Sequence, residues 1–116
     1  MAAPNIASPT TITGKTAVLA VTTSAQAFIT NSAASGTVCK VNAIIAANVS
    51  GSAATVNIDV YRSSTAYNIS YTISVPAAAS LDVLNRYIYL EEGDTLRATA
   101  SANSAIQVVA SYELIA

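Results

Sequence analysis

The sequence predicts an all-β protein: a single antiparallel β-sandwich of about eight strands, jelly-roll-like, with an extended N-terminal arm. Three observations carry this prediction. Apolar and polar side chains alternate along most of the chain, which is the period of a half-buried strand. Clusters of Gly, Ser, Asn and Pro interrupt that alternation at regular intervals, as turns do. A chain of 116 residues is the size of one domain, and many short strands without a convincing helix are typical of a sandwich.

The N-terminal segment differs from the rest of the chain. Residues 1–13 include two prolines and several Asn, Ser and Thr residues, and they follow neither the strand period nor the helix period. We therefore expect an extended arm there and a sandwich domain over residues 14–116. Ile6 and Ile12 are the sizeable apolar side chains of the arm apart from Met1, so they are its candidate anchors on a neighbouring molecule. The segment lacks the features of a secretory signal, and export by that route is not expected.

Eight strands are expected after the arm. They are predicted over residues 16–23, 26–30, 37–48, 54–61, 66–75, 80–90, 94–101 and 105–114. The fourth illustrates the pattern, because Val56, Ile58 and Val60 alternate with Asn57 and Asp59. Such alternation indicates a strand with one face in the core and one face toward solvent.

The sixth predicted strand breaks its own alternation. Leu81 and Val83 are odd-numbered, whereas Ile88 and Leu90 are even-numbered, so one flat strand would place half of them on the wrong face. Either a β-bulge near Asn85 and Arg86 shifts the alternation, or both faces of the strand are buried, one in the core and one under a neighbouring chain.

Tyrosines are the candidate interface residues. The chain has six of them, and a tyrosine ring offers a large contact area with one polar tip. If the second face of the sixth strand is covered by a neighbour, Tyr87 and Tyr89 line that face. We therefore predict that these two side chains contribute to an interface between protomers.

Charge gathers in one place, the segment YLEEGDTLRATA at residues 89–100. Gly93 lies between strands predicted to end at Leu90 and to resume at Thr95, where a glycine supplies the positive φ of a tight hairpin and Asp94 can bond its own backbone. We expect a solvated hairpin turn. A calcium site needs six or more oxygen ligands, and a loop this short offers too few, so no metal is expected.

The composition restricts the partners. Charged side chains make up 9% of the chain, against about 25% in an average globular domain. A free monomer normally keeps more charge for solubility, so a chain partly covered by its own copies or by a partner is favoured. With a net charge of −1 and no basic run, the chain offers little to neutralise phosphates, and a nucleic-acid partner is not expected. No uncharged stretch is apolar enough to predict a membrane helix.

The residue inventory argues against catalysis. The chain has no histidine, which is the commonest general base and the commonest zinc ligand. Cys39, the one cysteine, lies in an apolar run and is expected to be buried and unreactive. The tripeptide GKT at residues 14–16 imitates the end of a phosphate-binding loop, but Pro9 occupies the place of a required glycine. We expect no enzyme activity, no cofactor and no small-molecule substrate.

Four segments of the chain together resemble a known group of proteins. They are PNI…ITGKTAVLAVTTSA, KVNAIIAANVSGSAATVNIDVYRS, ISVPAAASLDVLNRYIYLEEGDTLRATAS and VVASYE. Together they resemble small virion proteins encoded by tailed phages of cyanobacteria and other aquatic bacteria, and SVPA…LDVL…IYLEEGD.LR is the most specific part. The resemblance implies a structural component of the virion that is made in the host cytoplasm. The shared motifs are turns and strand faces, so no catalytic residue is carried over.

Three functions fit these expectations. The first is a capsid decoration (cement) protein, homo-oligomeric with a trimer favoured, which clamps neighbouring major capsid proteins on the capsid surface through adhesive contacts. The second is a tail, neck or baseplate accessory protein of the virion built on the same fold. The third is a carbohydrate-binding β-sandwich module, which would present exposed aromatic platforms such as tyrosine.

Overall fold

Two antiparallel sheets pack face to face in the computed structural model, which describes residues 4–116. Within these residues the strands are β1 (Ile12–Ala20), β2 (Gln26–Thr30), β3 (Val38–Asn48), β4 (Ala54–Arg62), β5 (Thr65–Val75), β6 (Ser80–Asp82), β7 (Ile88–Leu90), β8 (Thr95–Ala100) and β9 (Ile106–Ile115). Sheet A has the order β1-β9-β3-β6, with β7 also paired to β3, and sheet B has the order β2-β8-β4-β5. The predicted antiparallel sandwich is confirmed. No helix among the described residues is long and apolar enough to cross a membrane.

The strand pairing is nested. The first strand pairs with the last, β2 pairs with β8, β3 pairs with β6 and β7, and β4 pairs with β5. Among the strands of residues 4–116, only β4 and β5 form a hairpin within one sheet, while the connections on either side of this hairpin cross between the sheets. This nested order is that of a jelly roll, in which a long hairpin rolls up into two sheets.

The sixth predicted strand, residues 80–90, is one strand broken in two. Both β6 and β7 pair with β3 along the same edge, one near each end of it. Residues 83–87 leave the sheet between them, and Val83 and Leu84 are both buried there. The change of alternation therefore comes from this interruption, and the first of the two alternatives, a bulge near Asn85 and Arg86, is wrong.

The arm is shorter than predicted. Strand β1 begins at Ile12, because Ile12 and Thr13 pair with Ile115 and Leu114 at the end of β9. Apolar alternation starts only later in the strand, so the sequence pattern did not reveal this pairing. Residues 1–3 of the predicted arm lie outside the described residues.

The core lies between the sheets and consists of alternate side chains from both. Its largest fully buried apolar members are Ile44, Ile58, Leu90, Leu96, Ile106, Val21, Val41, Val56, Val75 and Val108. Cys39 is buried with them as predicted, and burial raises the pKa of its thiol. A buried thiol with a raised pKa is a poor nucleophile, which agrees with a structural role for this residue.

A buried asparagine holds the loops at the end of the sandwich where β2 leaves sheet B. The Asn31 amide nitrogen donates to the carbonyl oxygens of Thr37 (2.9 Å) and Leu90 (3.0 Å). Its amide oxygen accepts from the hydroxyls of Ser35 and Thr37. One side chain thereby joins the β2–β3 loop to the end of β7.

A second buried asparagine does the same at the opposite end of β3. The Asn48 amide nitrogen donates to the carbonyl oxygens of Ser52 (2.8 Å) and Val75 (2.9 Å). Its amide oxygen accepts from the backbone N–H and the hydroxyl of Ser50. The β3–β4 loop is thereby joined to the end of β5.

The EEGD turn at residues 91–94 connects the two sheets, since β7 belongs to sheet A and β8 to sheet B. The predicted hairpin is therefore wrong. The predicted backbone conformation is confirmed, because Gly93 has a φ of 89°. The N–H of Asp94 donates to the carbonyl oxygen of Glu91 at 3.0 Å, which closes a β-turn with Gly93 at its third position, as in a type II turn.

Replacing Gly93 with alanine should lower the free energy of unfolding by about 1 kcal/mol or more, because an L-residue is strained at this φ. Nothing lies within 4 Å of a Cβ built at Gly93, so the loss would come from the backbone alone. Chemical denaturation followed by circular dichroism measures it. Gly51→Ala is the matched control, since a Cβ there also meets nothing within 4 Å and the φ of Gly51 is not positive. Equal effects of the two substitutions would contradict the prediction.

Candidate interaction surface

The outer face of sheet B is polar, and its charges are paired. Arg97 on β8 donates from Nε to Asp59 Oδ1 on β4 at 3.0 Å. The Arg97 guanidinium also lies over the ring of Tyr61, 3.9 Å from its centroid. Asp59 is buried by these contacts, and the neighbouring cross-strand pair is Asn57 with Thr99. This face presents mainly polar groups that water solvates well.

The outer face of sheet A has the opposite character. Val18 on β1 lies opposite Val109 on β9, which in turn lies opposite Ile45 on β3. Their exposed fractions are 71%, 43% and 44%. Three adjacent strands therefore present one continuous apolar row to solvent, and we call these three residues the apolar row.

Small neutral side chains flank the apolar row on both sides. The flanking cross-strand rows are Thr16, Ser111 and Ala43 on one side and Ala20, Gln107 and Ala47 on the other. None of these side chains is charged or bulky, so a partner can approach the sheet closely over the whole area. Neutral faces of this kind with an apolar centre are typical of interaction sites.

The predicted interface tyrosines lie together at the edge of this face. The rings of Tyr87 and Tyr89 meet edge to face, with centroids 5.6 Å apart at 78°. Lys40, opposite Tyr89 on β3, places its Nζ 4.5 Å from the centroid of the Tyr87 ring and 3.9 Å from the carboxylate of Glu113. Tyr87 is exposed and Tyr89 half-buried, and neither belongs to the core cluster. Both rings are therefore available for contact with another chain.

The predicted anchors of the arm, Ile6 and Ile12, are both exposed. The backbone near Ile12 is fixed, because Thr11 and Ala116 exchange N–H···O bonds of 2.9 and 3.0 Å. Ile6 lies instead in a local turn, where the side chain of Asn5 accepts from the second residue along the chain. The structure thus places one anchor on the sandwich and the other on a segment with its own local bonds.

The acidic segment is not the solvated tip that the sequence suggested. Asp94 is 1% exposed, and Arg62 at the end of β4 donates to it from Nε (2.6 Å) and from a terminal nitrogen. The backbone N–H of Glu91 donates to the same carboxylate at 2.8 Å. The hydrogen bonds from Arg62 hold the pKa of Asp94 below its ordinary value, and in return Asp94 raises the pKa of Arg62. Sequence reasoning missed Arg62, because nothing in the pattern shows which turns meet at one end of a sandwich.

The other two carboxylates of this segment also have structural partners. Glu91 accepts from Arg62 at 2.9 Å, and Glu92 accepts from the backbone N–H of Gly36 in the β2–β3 loop at 2.8 Å. Among residues 4–116 no group of three or more His, Cys, Asp or Glu side chains is arranged to hold a metal ion. The acidic segment therefore ties loops together.

The stability of the protein should fall in acid, because the pKa of Asp94 is lowered on folding. The stabilisation from its ionised form is present above the usual pKa of about 3.9 and is lost as the pH falls through the lower value of the folded state. Asp94→Asn should reduce the free energy of unfolding by about 1–3 kcal/mol at neutral pH, and the difference should shrink in strong acid. Denaturant titrations across the pH range measure this. Asp82→Asn is the control, because this carboxylate is exposed and outside the ion pairs described above, and it should change the free energy of unfolding by no more than about 0.5 kcal/mol. A loss of stability in Asp94→Asn that does not vary with pH would contradict the prediction.

Comparison with known proteins adds no assignment: no protein-family model matches the chain, and a search of curated proteins found no match. The functional proposal accordingly rests on the surfaces of the molecule and on the resemblance described above.

Proposed function

We propose that this protein is a virion structural protein, a capsid decoration protein that stabilises a phage head through adhesive contacts with the major capsid protein. The observation that carries the proposal is the neutral outer face of sheet A with its apolar row of Val18, Val109 and Ile45. Its counterpart on sheet B is polar and has its ion pair satisfied. The molecule thus has one face suited to contact and one suited to solvent.

Adhesion at many equivalent sites requires only a small binding free energy at each site. A stable interface buries about 800 Å² per partner, which is about an eighth of the 6123 Å² of accessible surface. Completing the burial of a half-exposed valine or isoleucine gains about 1 kcal/mol. The apolar row alone is too small for such an interface, so we expect the arm to add area. Repetition over a symmetric shell then multiplies a modest gain per copy.

Self-association is part of the proposal. The pair of Tyr87 and Tyr89 is the aromatic cluster on this face, it lies outside the core, and Lys40 already holds one ring by a cation–π contact. A rigid aromatic pair of this kind is typical of the centre of an interface. We assign it to the contact between protomers, with a trimer favoured, and assign the apolar row and the arm to the shell.

Self-association should depend on the tyrosine pair. Tyr87→Ala combined with Tyr89→Ala should shift the protein toward monomer in sedimentation velocity, while the β-type circular dichroism stays intact because neither ring belongs to the core cluster. Tyr71→Ala, which removes another exposed tyrosine on β5, is the control and should leave the sedimentation unchanged, because Tyr71 does not share a pocket with the tyrosine pair. Unfolding of the double variant would place the rings in the core and contradict the interface assignment.

Attachment to the shell should depend on the arm. Deletion of residues 2–9 should leave a folded oligomer that no longer co-sediments with phage heads lacking their own copy of the protein. The deletion stops before Thr10, because Thr10 and Thr11 both donate to the carbonyl oxygen of Ala116 and their loss would disturb β1. Ile6 is the sizeable apolar side chain that this deletion removes.

A second variant tests the face itself. Val109→Asp introduces a charge into the apolar row and should also abolish binding to heads, whereas Thr99→Asp on the outer face of sheet B should not. Binding retained by both the deletion and Val109→Asp would contradict the proposed attachment surface. Binding to isolated tails but not to heads would support a tail, neck or baseplate role instead.

A further inference from the structure

A cleft of about 670 Å³ opens along one side of the sandwich, beyond the end of the apolar row where Asp82 on β6 lies opposite Ile45. One wall is strand β5, with Tyr71 and Thr72, and the other is the segment after β6, with Asp82, Val83 and Asn85. It lies at the point where the broken strand leaves the edge of sheet A. The interruption between β6 and β7, visible in the sequence as a change of alternation, therefore forms one wall of the cleft.

A strained backbone shapes the opposite wall. Tyr71 and Thr72 together stand opposite the single residue Asn57, so β5 carries a β-bulge at this point. Thr72 has a φ of 53°, a region that β-branched residues avoid, and its N–H donates to the side chain of Asn57. A bulge bends its strand and redirects the adjacent side chains. Here it accompanies a Tyr71 side chain that is 72% exposed and lines the cleft.

The polar groups around the cleft have free hydrogen-bonding capacity. Asp82 uses one carboxylate oxygen to accept the N–H of Leu84 at 3.1 Å, and the other oxygen has no partner among residues 4–116. Within the same described part of the chain, the Asn85 amide and the Tyr71 hydroxyl make no hydrogen bond. No Lys or Arg side chain is among the residues that line the cleft. The cleft therefore combines one flat aromatic ring, hydrogen-bond donors and acceptors, and no positive charge.

We propose that this cleft binds neutral hexopyranose units of a polysaccharide. The apolar C–H face of a sugar ring packs on the tyrosine ring, while the carboxylate and amide of the facing wall bind its hydroxyls. The absence of a cation disfavours acidic sugars, whose carboxylates would lie near Asp82. The proposal goes beyond attachment to shells and does not depend on it, because the residues that line the cleft belong to β5 and to residues 82–85 and not to the apolar row.

The test is a titration of the isotopically labelled full chain with cellohexaose, maltohexaose and β-1,4-galactohexaose, followed by NMR. At least one hexasaccharide should move the backbone signals of residues 69–74 and 82–85, with a Kd on the order of 1 mM, as suits an open site with few contacts. The signals of Val109 and Val18, which lie one and two strands farther from the cleft than Ile45, should stay in place. The shell-binding assay is a separate measurement, so failure of one proposal is distinguishable from failure of the other.

Matched variants assign the binding to individual side chains. Tyr71→Ala should weaken binding at least about tenfold, which is about 1.4 kcal/mol, whereas Tyr71→Phe should retain most of it because the ring remains. Tyr67→Ala is the control, an exposed tyrosine on the same strand that does not line this cleft. Asp82→Asn should weaken binding less than Tyr71→Ala, because an amide still bonds hydroxyls.

Several results would overturn the proposal. One is the absence of signal changes with all three hexasaccharides, and another is an equal loss in Tyr71→Ala and Tyr67→Ala. A third concerns a synthetic peptide of residues 2–13. If that peptide moves the signals of the cleft and the saccharides do not, the cleft receives the arm of a second copy and not a sugar.

Discussion

The fold depends on how the chain crosses between its two sheets, because each crossing takes backbone N–H and C=O groups out of the strand ladders. Such groups, when buried, must find other partners. Asn31 and Asn48 provide them at the two ends of the sandwich, and each donates one amide hydrogen to a carbonyl oxygen of its own loop and the other to a carbonyl oxygen of a distant strand. Loss of either amide would leave carbonyls such as those of Leu90 and Val75 without these donors, at about 1–3 kcal/mol for each buried group. Two neutral side chains thus do at the ends of the molecule what the ladders do in its middle.

The few charged side chains of the chain are also used mainly to join its strands and loops. Their placement gives the two outer faces of the sandwich different characters. The chain has eleven Asp, Glu, Lys and Arg side chains, and the ion pairs among residues 4–116 occupy seven of them, in three groups centred on Lys40, Arg62 and Arg97. Charges used in this way tie strands and loops together and contribute little to solubility. The outer face of sheet A, where the Lys40 group lies at one end, is left with small neutral residues around the apolar row. A partner that covers this face therefore has little charge to desolvate, which is the physical basis of the adhesive role that we propose.

Alternation and turn composition predicted most of the strands, since both depend on residues close together in sequence. They also predicted the positive φ of Gly93. They did not predict that Asp94 would be buried, because its partner Arg62 belongs to a different turn and local pattern carries no information about which turns meet.

The change of alternation in the sixth predicted strand was visible in the sequence, but the sequence did not show that an interruption of the strand causes it. Val83 and Leu84 are consecutive and both buried, which no strand period describes. The tyrosine pair was found from sequence, whereas the cleft was not, because it requires the bulge and the interruption to face each other.

The edge of β5 is protected against pairing with a strand of another chain. An unbroken edge strand invites pairing with another chain, and bulges prevent it. The register of β5 against β4 shifts twice, and Thr72 sits at one shift with a backbone conformation that costs about 1–3 kcal/mol. That is a substantial fraction of the 5–15 kcal/mol by which a domain of this size is usually stable. The bulge interrupts the regular hydrogen-bonding edge of β5, and it also places the exposed Tyr71 beside the cleft. On this side of the sandwich, contact with another molecule then falls to the cleft and not to the strand edge.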